Sequence, residues 1–141
     1  MSAISQAVNV KQVVPFLHVR DIRKSLHFYR EGLQFEIRHS WPGDEDLRWC
    51  WLTLGGASIM LQTTDRDNDP ASEGRLSLCF MCEDALQIYD ESLVRGLSPV
   101  EPYVGNSLWV ASFFDPDGNR IEFESPTDVA EGTKLSEHRR N

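Results

Sequence analysis

A short acidic segment in the second half of the chain contains the residues whose types and spacing could do chemistry. It reads Asp115-Pro116-Asp117-Gly118-Asn119, followed by Arg120-Ile121-Glu122-Phe123-Glu124. The first five residues are typical of a tight turn, and the alternation after them predicts a β-strand. The apolar side chains would then face one side of a sheet, and Glu122 and Glu124 the other. The two carboxylates could be metal ligands, acid–base groups or a solvated edge.

The elements that must position this segment occur twice along the chain. Residues 13–63 contain a strand signal, a helix signal and three further strand signals, and residues 75–125 repeat that order. Gly32 and Gly96, which end the two predicted helices, lie 64 residues apart. We therefore predict an internal duplication of two tandem β-α-β-β-β modules, which is an α+β fold.

The rest of the chain lies outside the two modules. Residues 1–12 are predicted to be an N-terminal extension, and residues 64–74, rich in Asp, Asn, Pro and Ser, a linker. Residues 126–141 form a polar C-terminal tail that we expect to be frayed.

Composition and charge limit the classes of partner. The 141 residues have a formal net charge of −8, which argues against nucleic acid or an anionic membrane as partner. No apolar run reaches membrane-spanning length, and the first residues lack the basic and apolar regions of a signal peptide. Three cysteines imply no disulfide framework. We expect a cytoplasmic protein with a small-molecule ligand.

Several motifs resemble one known superfamily. The first module contains Val14-Pro15-Phe16-Leu17-His18-Val19-Arg20-Asp21, Ser25-Leu26-His27-Phe28-Tyr29 and Gly32-Leu33, and the second contains the Asp115–Asn119 turn leading into Ile121-Glu122. Together they are similar to the vicinal oxygen chelate superfamily, which includes glyoxalase I, bleomycin-resistance proteins, fosfomycin-resistance enzymes and extradiol dioxygenases. The resemblance implies a half-open barrel around a cup-shaped cavity. It also implies a homodimer in which modules of different chains complete the barrel.

The same resemblance allows a comparison of metal-binding positions. Members that use a divalent ion coordinate it from four strand positions, which correspond here to Val14, Met60, Ser77 and Glu122. Only Glu122 is a good ligand for a hard divalent ion, so we expect no metal and no other cofactor. The alternative is a site outside this pattern that uses Glu122 with His18.

Strand alternation predicts which side chains line the cup. The candidate ligand-binding residues are Phe16, His18, Trp49, Trp51, Met60, Gln62, Ser77, Trp109 and Glu122. This mixture of aromatic, apolar and acidic groups suits a planar or cationic small molecule, through stacking and cation–π contacts.

Three functions remain open on this basis. The first is a metal-free small-molecule binding protein of the bleomycin-resistance type, related in character to antibiotic resistance. The second is a metal-dependent, glyoxalase-like lyase or a dioxygenase that uses Glu122. In the third, a metal-free isomerase or hydrolase, Glu122 would act as general base.

Overall fold

The computed structural model describes residues 9–43, 45–64 and 75–140. The first module consists of β1 (Phe16–Val19), α1 (Ile22–Leu26) continued by a π-helical segment (His27–Gly32), β2 (Glu36–Trp41), β3 (Trp49–Leu54) and β4 (Ala57–Thr63). The second consists of β5 (Ser77–Met81), α2 (Ala85–Val94), β6 (Val100–Gly105), β7 (Leu108–Phe114) and β8 (Arg120–Pro126), and α3 (Leu135–Arg140) follows it. Of the predicted linker 64–74, only Thr64 lies within the described residues.

The two modules form sheets of identical topology. The strand order is β1-β4-β3-β2 in the first sheet and β5-β8-β7-β6 in the second. In each sheet the first strand pairs in parallel with the last, with Phe16 opposite Met60 and Cys79 opposite Glu122. The other pairs are antiparallel. The predicted α+β fold of two tandem modules is confirmed.

Each module begins its helix with an aspartate at the N-cap. The Asp21 carboxylate accepts hydrogen bonds from the backbone N–H groups of Arg23 and Lys24, at 3.1 and 3.2 Å. The Asp84 carboxylate accepts one from Gln87 N at 3.0 Å. These bonds satisfy donors that have no partner within a helix, and they fix where each helix starts.

One face of each sheet packs into a core that the two modules share. Phe35 of the first module contacts Phe80 of the second, with ring centroids 5.9 Å apart. Gly32 lies against Leu97, and a Cβ at position 32 would come within 3.0 Å of the leucine side chain. Glycine therefore allows a close approach of the modules here, while the positive φ after the helix falls on Gln34, at 72°.

The Asp115–Asn119 turn of the second module joins the two modules. The buried Asp115 carboxylate accepts a hydrogen bond of 2.6 Å from the Tyr29 hydroxyl of the first module. Within the turn it also accepts bonds from Asp117 N, Asn119 N and Asn119 Nδ2, at 2.8 to 3.0 Å. Gly118 adopts the positive φ of 87° that the turn requires. The carboxylate that begins the motif is therefore a structural link between modules.

The prediction of a frayed C-terminal tail is wrong. Residues Leu135–Arg140 form α3, and Leu135 is buried in the core. Arg139 makes two hydrogen bonds of 2.7 and 3.0 Å to the Asp90 carboxylate of α2. Lys134 forms a bridge with Tyr103 at the edge of the second sheet. Contacts distant in sequence order this segment, and local sequence does not reveal them.

We expect the stabilisation by Tyr29 to be lost at alkaline pH. Burial and the negative charge of Asp115 raise the pKa of Tyr29 far above its ordinary value of 10.0. The folded state therefore keeps this proton after the unfolded state has lost it, so the contribution is complete below pH 10 and decreases as the pH rises. The free energy of unfolding, measured with urea, should fall more steeply above pH 10 in the wild type than in Tyr29→Phe.

The comparison with Tyr29→Phe isolates this residue from other groups. Burial also raises the pKa of the Cys50 thiol to about 11, which gives the same direction of change, but both proteins contain Cys50 and its effect cancels. A stability difference between the two proteins that is the same on both sides of pH 10 would contradict the prediction.

Candidate functional site

The face of each sheet that is turned away from the shared core is open. We call these surfaces the open face of module 1 and the open face of module 2. Alternating burial along β1, β4 and β8 separates them from the core faces. The open face of module 1 consists of Phe16, His18, His39, Trp41, Trp49, Trp51, Thr53, Ser58, Met60 and Gln62; that of module 2 consists of Ser77, Cys79, Met81, Val100, Tyr103, Val110, Ser112, Phe114, Arg120, Glu122 and Glu124.

Aromatic side chains form a wall across the open face of module 1. One row of cross-strand partners runs His39, Trp51, Met60 and Phe16, and the next runs Trp41, Trp49, Gln62 and His18. The Phe16 and His18 rings are stacked, with centroids 5.0 Å apart. The His39 ring meets Trp51 edge to face at 6.3 Å. Such a surface offers several ring faces to a planar molecule.

A polar recess adjoins this wall. Its volume is about 330 Å³, and Gln12, Arg38, His39, Trp51, Thr53 and Ser58 are among its lining residues. Gln12 belongs to the N-terminal extension, so the extension contributes to this face. Hydroxyl and amide groups beside Trp51 could fix the orientation of a stacked ligand.

Glu122 lies on the open face of module 2 and is held by two neighbours. Ser112 Oγ donates a hydrogen bond of 3.2 Å to its Oε2 atom. Arg120 Nε lies 3.3 Å from the same oxygen but is not aligned to donate a hydrogen bond, so the contact is an ion pair. The Arg120 guanidinium also lies over the Phe114 ring, at 5.8 Å from its centroid. Glu122 is therefore fixed in position and paired with a cation.

Glu124 lies two residues further on the same face, in a different environment. Its cross-strand partners are Met81 and Val110, both apolar. The neighbouring Cys79 thiol donates a hydrogen bond of 3.9 Å to Met81 Sδ. Partial burial and the nearby carboxylates of Glu124 and Glu122 raise the pKa of Cys79 to about 11, so the thiol is protonated at neutral pH.

The prediction that Trp109 lines the site is wrong. Trp109 pairs with Ser125 on the core face of its sheet and is only 5% exposed. Its ring packs against His138 of α3, with centroids 5.4 Å apart. Residues 109–113 of β7 are all buried, so the pattern of polarity does not reveal which side chains point outward. Val110 and Ser112 occupy the open face in its place.

The other predicted site residues divide into two groups. Phe16, His18, Trp49, Trp51, Met60 and Gln62 lie together on the open face of module 1, and Ser77 and Glu122 lie on that of module 2. Their role in binding stays a prediction. Sequence reasoning missed Trp41, which is 61% exposed, and Phe114, which is 54% exposed. Trp41 is the cross-strand partner of Trp49 in the β2–β3 pair, so this pairing could have placed Trp41 on the same face as Trp49.

A cavity of about 610 Å³ lies at the junction of the modules. Apolar residues of both modules line it, among them Leu33, Leu54, Phe80, Ile88 and Phe123. None of the predicted site residues borders it. The cavity is therefore separate from the aromatic wall.

The donor atoms at the described positions that correspond to metal ligands do not fit a divalent metal ion. Of the four positions that correspond to metal ligands in the superfamily, Val14 and Met60 offer no hard donor, and Ser77 lies opposite Arg120. An ion on Glu122 would lie beside the Arg120 guanidinium, which would repel it. His18 is on the other sheet, stacked on Phe16. The part of the chain that the structure describes contains no group of three His, Cys, Asp or Glu side chains arranged for a metal.

Within residues 9–43, 45–64 and 75–140, no helix has the length and apolar character that crossing a bilayer requires.

Two four-stranded sheets, each with a parallel first and last strand, form a fold that this chain shares with solved structures of bleomycin resistance proteins. The sequence profile of the glyoxalase/bleomycin resistance protein/dioxygenase superfamily matches residues 9–123. The chain belongs to this superfamily, as the sequence motifs predicted. No curated protein is significantly similar to it in sequence.

Solved structures with the same fold include an antibiotic binding protein and two bleomycin resistance proteins. The chain is similar to TnmS3, an antibiotic binding protein from Streptomyces sp. CB03234, with 25% identity and a TM-score of 0.67 over 86% of this chain and 100% of that one. A glyoxalase/bleomycin resistance protein from the same organism is 26% identical, with a TM-score of 0.62 over 79% and 97% of the two chains. A bleomycin resistance determinant encoded on the transposon Tn5 shares the fold, with 21% identity and a TM-score of 0.66 over 85% and 100%.

Proposed function

We propose that this chain is a metal-free small-molecule binding protein that takes a planar, cationic ligand such as an aromatic antibiotic. The observation that carries the proposal is the aromatic wall on the open face of module 1, where Trp41, Trp49, Trp51 and Phe16 present their rings away from the core. The antibiotic-binding TnmS3 has the same fold at 25% identity, which supports this ligand class.

The wall and the acids must come together for such a ligand to contact both. Within one chain the two open faces lie on opposite sides of a shared core, because both sheets turn their other face inward. Glu122 and Glu124 of the same chain therefore do not face Trp51. A second chain could place its module 2 against this module 1, and the ligand would then lie between rings and carboxylates.

Exposed apolar groups on both faces support this homodimer. Phe16, Trp41, Met81, Val100, Tyr103 and Phe114 are between 38% and 64% exposed. Soluble monomers rarely leave an apolar surface of this kind uncovered. Strands β1 and β5 are also unpaired edges of their sheets among the described residues, and such edges favour association. We propose that two chains associate through these faces and complete two equivalent sites.

Calorimetry with planar aromatic cations tests the binding function. We expect stoichiometric binding to the wild type and a loss of about 30-fold in affinity in Trp51→Ala, because one large ring face contributes about 2 kcal/mol through stacking and cation–π contact. Trp51→Phe keeps an aromatic face of smaller area and should lose less.

Two outcomes would contradict the proposal. One is an absence of binding across a broad panel of planar cations. The other is an affinity that does not change in Trp51→Ala while circular dichroism shows the variant to be folded.

A further inference from the structure

The two acids on the open face of module 2 differ in their charge environment. Glu122 has Arg120 Nε at 3.3 Å from its carboxylate, and the guanidinium also lies over the Phe114 ring. The pair carries no net charge. An approaching cation would meet the positive charge of Arg120 as well as the negative charge of Glu122, so the two contributions largely cancel.

Glu124 has no such compensation. No Lys, Arg or His nitrogen of the described residues lies within 4.0 Å of its carboxylate. The nearby Cys79 thiol is protonated at neutral pH and adds no compensating positive charge, because its pKa is raised to about 11. No neighbouring cation of the described residues therefore offsets the charge of this carboxylate.

In a closed site, the surroundings of Glu124 would strengthen the attraction between its carboxylate and a cation. Its cross-strand neighbours Met81 and Val110 are apolar and provide no competing hydrogen-bond donor. If a second chain covers this face, water is excluded around the carboxylate and its attraction for a cation increases.

We infer that Glu124, and not the Glu122 of the turn-and-strand motif, is the specificity-determining residue that selects a cationic ligand. This inference rests on the proposed function. Glu122, fixed by Ser112 and Arg120, would act as an oriented hydrogen-bond acceptor through its Oε1 atom. The ligand class that follows is a planar ring system carrying a positive charge close to the ring.

Two probes that differ in charge but little in shape separate charge from stacking. We use 9-aminoacridine, a cation at neutral pH, and acridine, which is neutral there, and measure the affinity of the full-length protein for each by calorimetry. Wild type should prefer the cation. In Glu124→Gln we expect that preference to fall about tenfold, or about 1.4 kcal/mol, with acridine binding unchanged.

A charge-conserving variant provides the matched control. Arg120→Gln combined with Glu122→Gln removes the ion pair without changing the net charge of the face, and it should keep the preference for the cation over acridine. Glu31→Gln removes one negative charge from the exposed surface of the π-helical segment and should change neither affinity.

The outcomes distinguish this inference from the proposed function. Two results would contradict the inference and leave the proposed function intact, provided that the wild type binds both probes. One is a preference for the cation that persists in Glu124→Gln. The other is a preference that disappears in the Arg120→Gln, Glu122→Gln double variant. If the wild type binds neither probe, the proposed function fails and the inference fails with it.

Discussion

Replacing Asp115 by alanine should lower the free energy of unfolding by about 3–5 kcal/mol. The carboxylate is 4% exposed and accepts hydrogen bonds from the Tyr29 hydroxyl and from three donors of its own turn. Alanine would leave the Tyr29 hydroxyl and the Asn119 amide buried without an acceptor. Each such group costs about 1–3 kcal/mol. The loss is large beside a typical domain stability of about 5–15 kcal/mol.

Urea unfolding followed by circular dichroism measures this loss. Asp46→Ala, which removes an exposed aspartate from the loop before β3, is the matched control and should change stability by less than about 0.5 kcal/mol. A double-mutant cycle with Tyr29→Phe should show a favourable coupling of about 1 kcal/mol or more, because the two groups are 2.6 Å apart. Equal stability of Asp115→Ala and wild type would contradict this account of the turn.

The role of this turn shows where sequence reasoning stops. The pattern Asp115–Asn119 predicted the turn and the following strand, and the structure confirms both. It did not predict the link between modules, because the partner hydroxyl is 86 residues away in the chain. The residues that form a turn are adjacent in the sequence and can be recognised there. The buried aspartate at the first position of this turn is explained by Tyr29, which belongs to the other module.

The candidate site was predictable where strands have one polar and one apolar face. Along β1, exposed Phe16 and His18 alternate with buried Leu17 and Val19, so their placement followed from sequence alone. Strand β7 has no such contrast, since helices and tail cover one face and Glu122 with its neighbours covers part of the other. The sequence of β7 therefore did not indicate which of its side chains point to the open face, and Trp109 was assigned to the wrong face.

The motif glutamate illustrates a different limit. Sequence alternation placed Glu122 and Arg120 on one face, but the ion pair at 3.3 Å and the Ser112 hydrogen bond depend on rotamers and on a neighbouring strand. Those contacts change the chemistry of Glu122 from a free acid to a compensated one. The nearby Glu124, which sequence reasoning left outside the site, becomes the uncompensated charge.

The proposed site should be lost when the open face of module 2 can no longer be covered by a second chain. Met81 lies on the edge strand β5 and is 64% exposed. Met81→Asp would place a charge within the proposed contact, where burying it unpaired costs several kcal/mol. We expect the protein to shift from dimer to a monomer of 16.1 kDa in light scattering, and binding of planar cations to weaken more than tenfold.

The choice of aspartate makes this experiment discriminating. The new aspartate adds a negative charge beside Glu124, the cross-strand partner of position 81. If a single chain were sufficient to bind the cation, this added charge would make binding tighter, not weaker. Val94→Asp, on α2 at an apolar position that is 88% exposed and away from both open faces, is the matched control and should leave mass and affinity unchanged. A dimer that persists in Met81→Asp would place the contact elsewhere. A wild-type monomer that binds the cation with full stoichiometry would mean that one open face is sufficient, and the two-chain site would then be wrong.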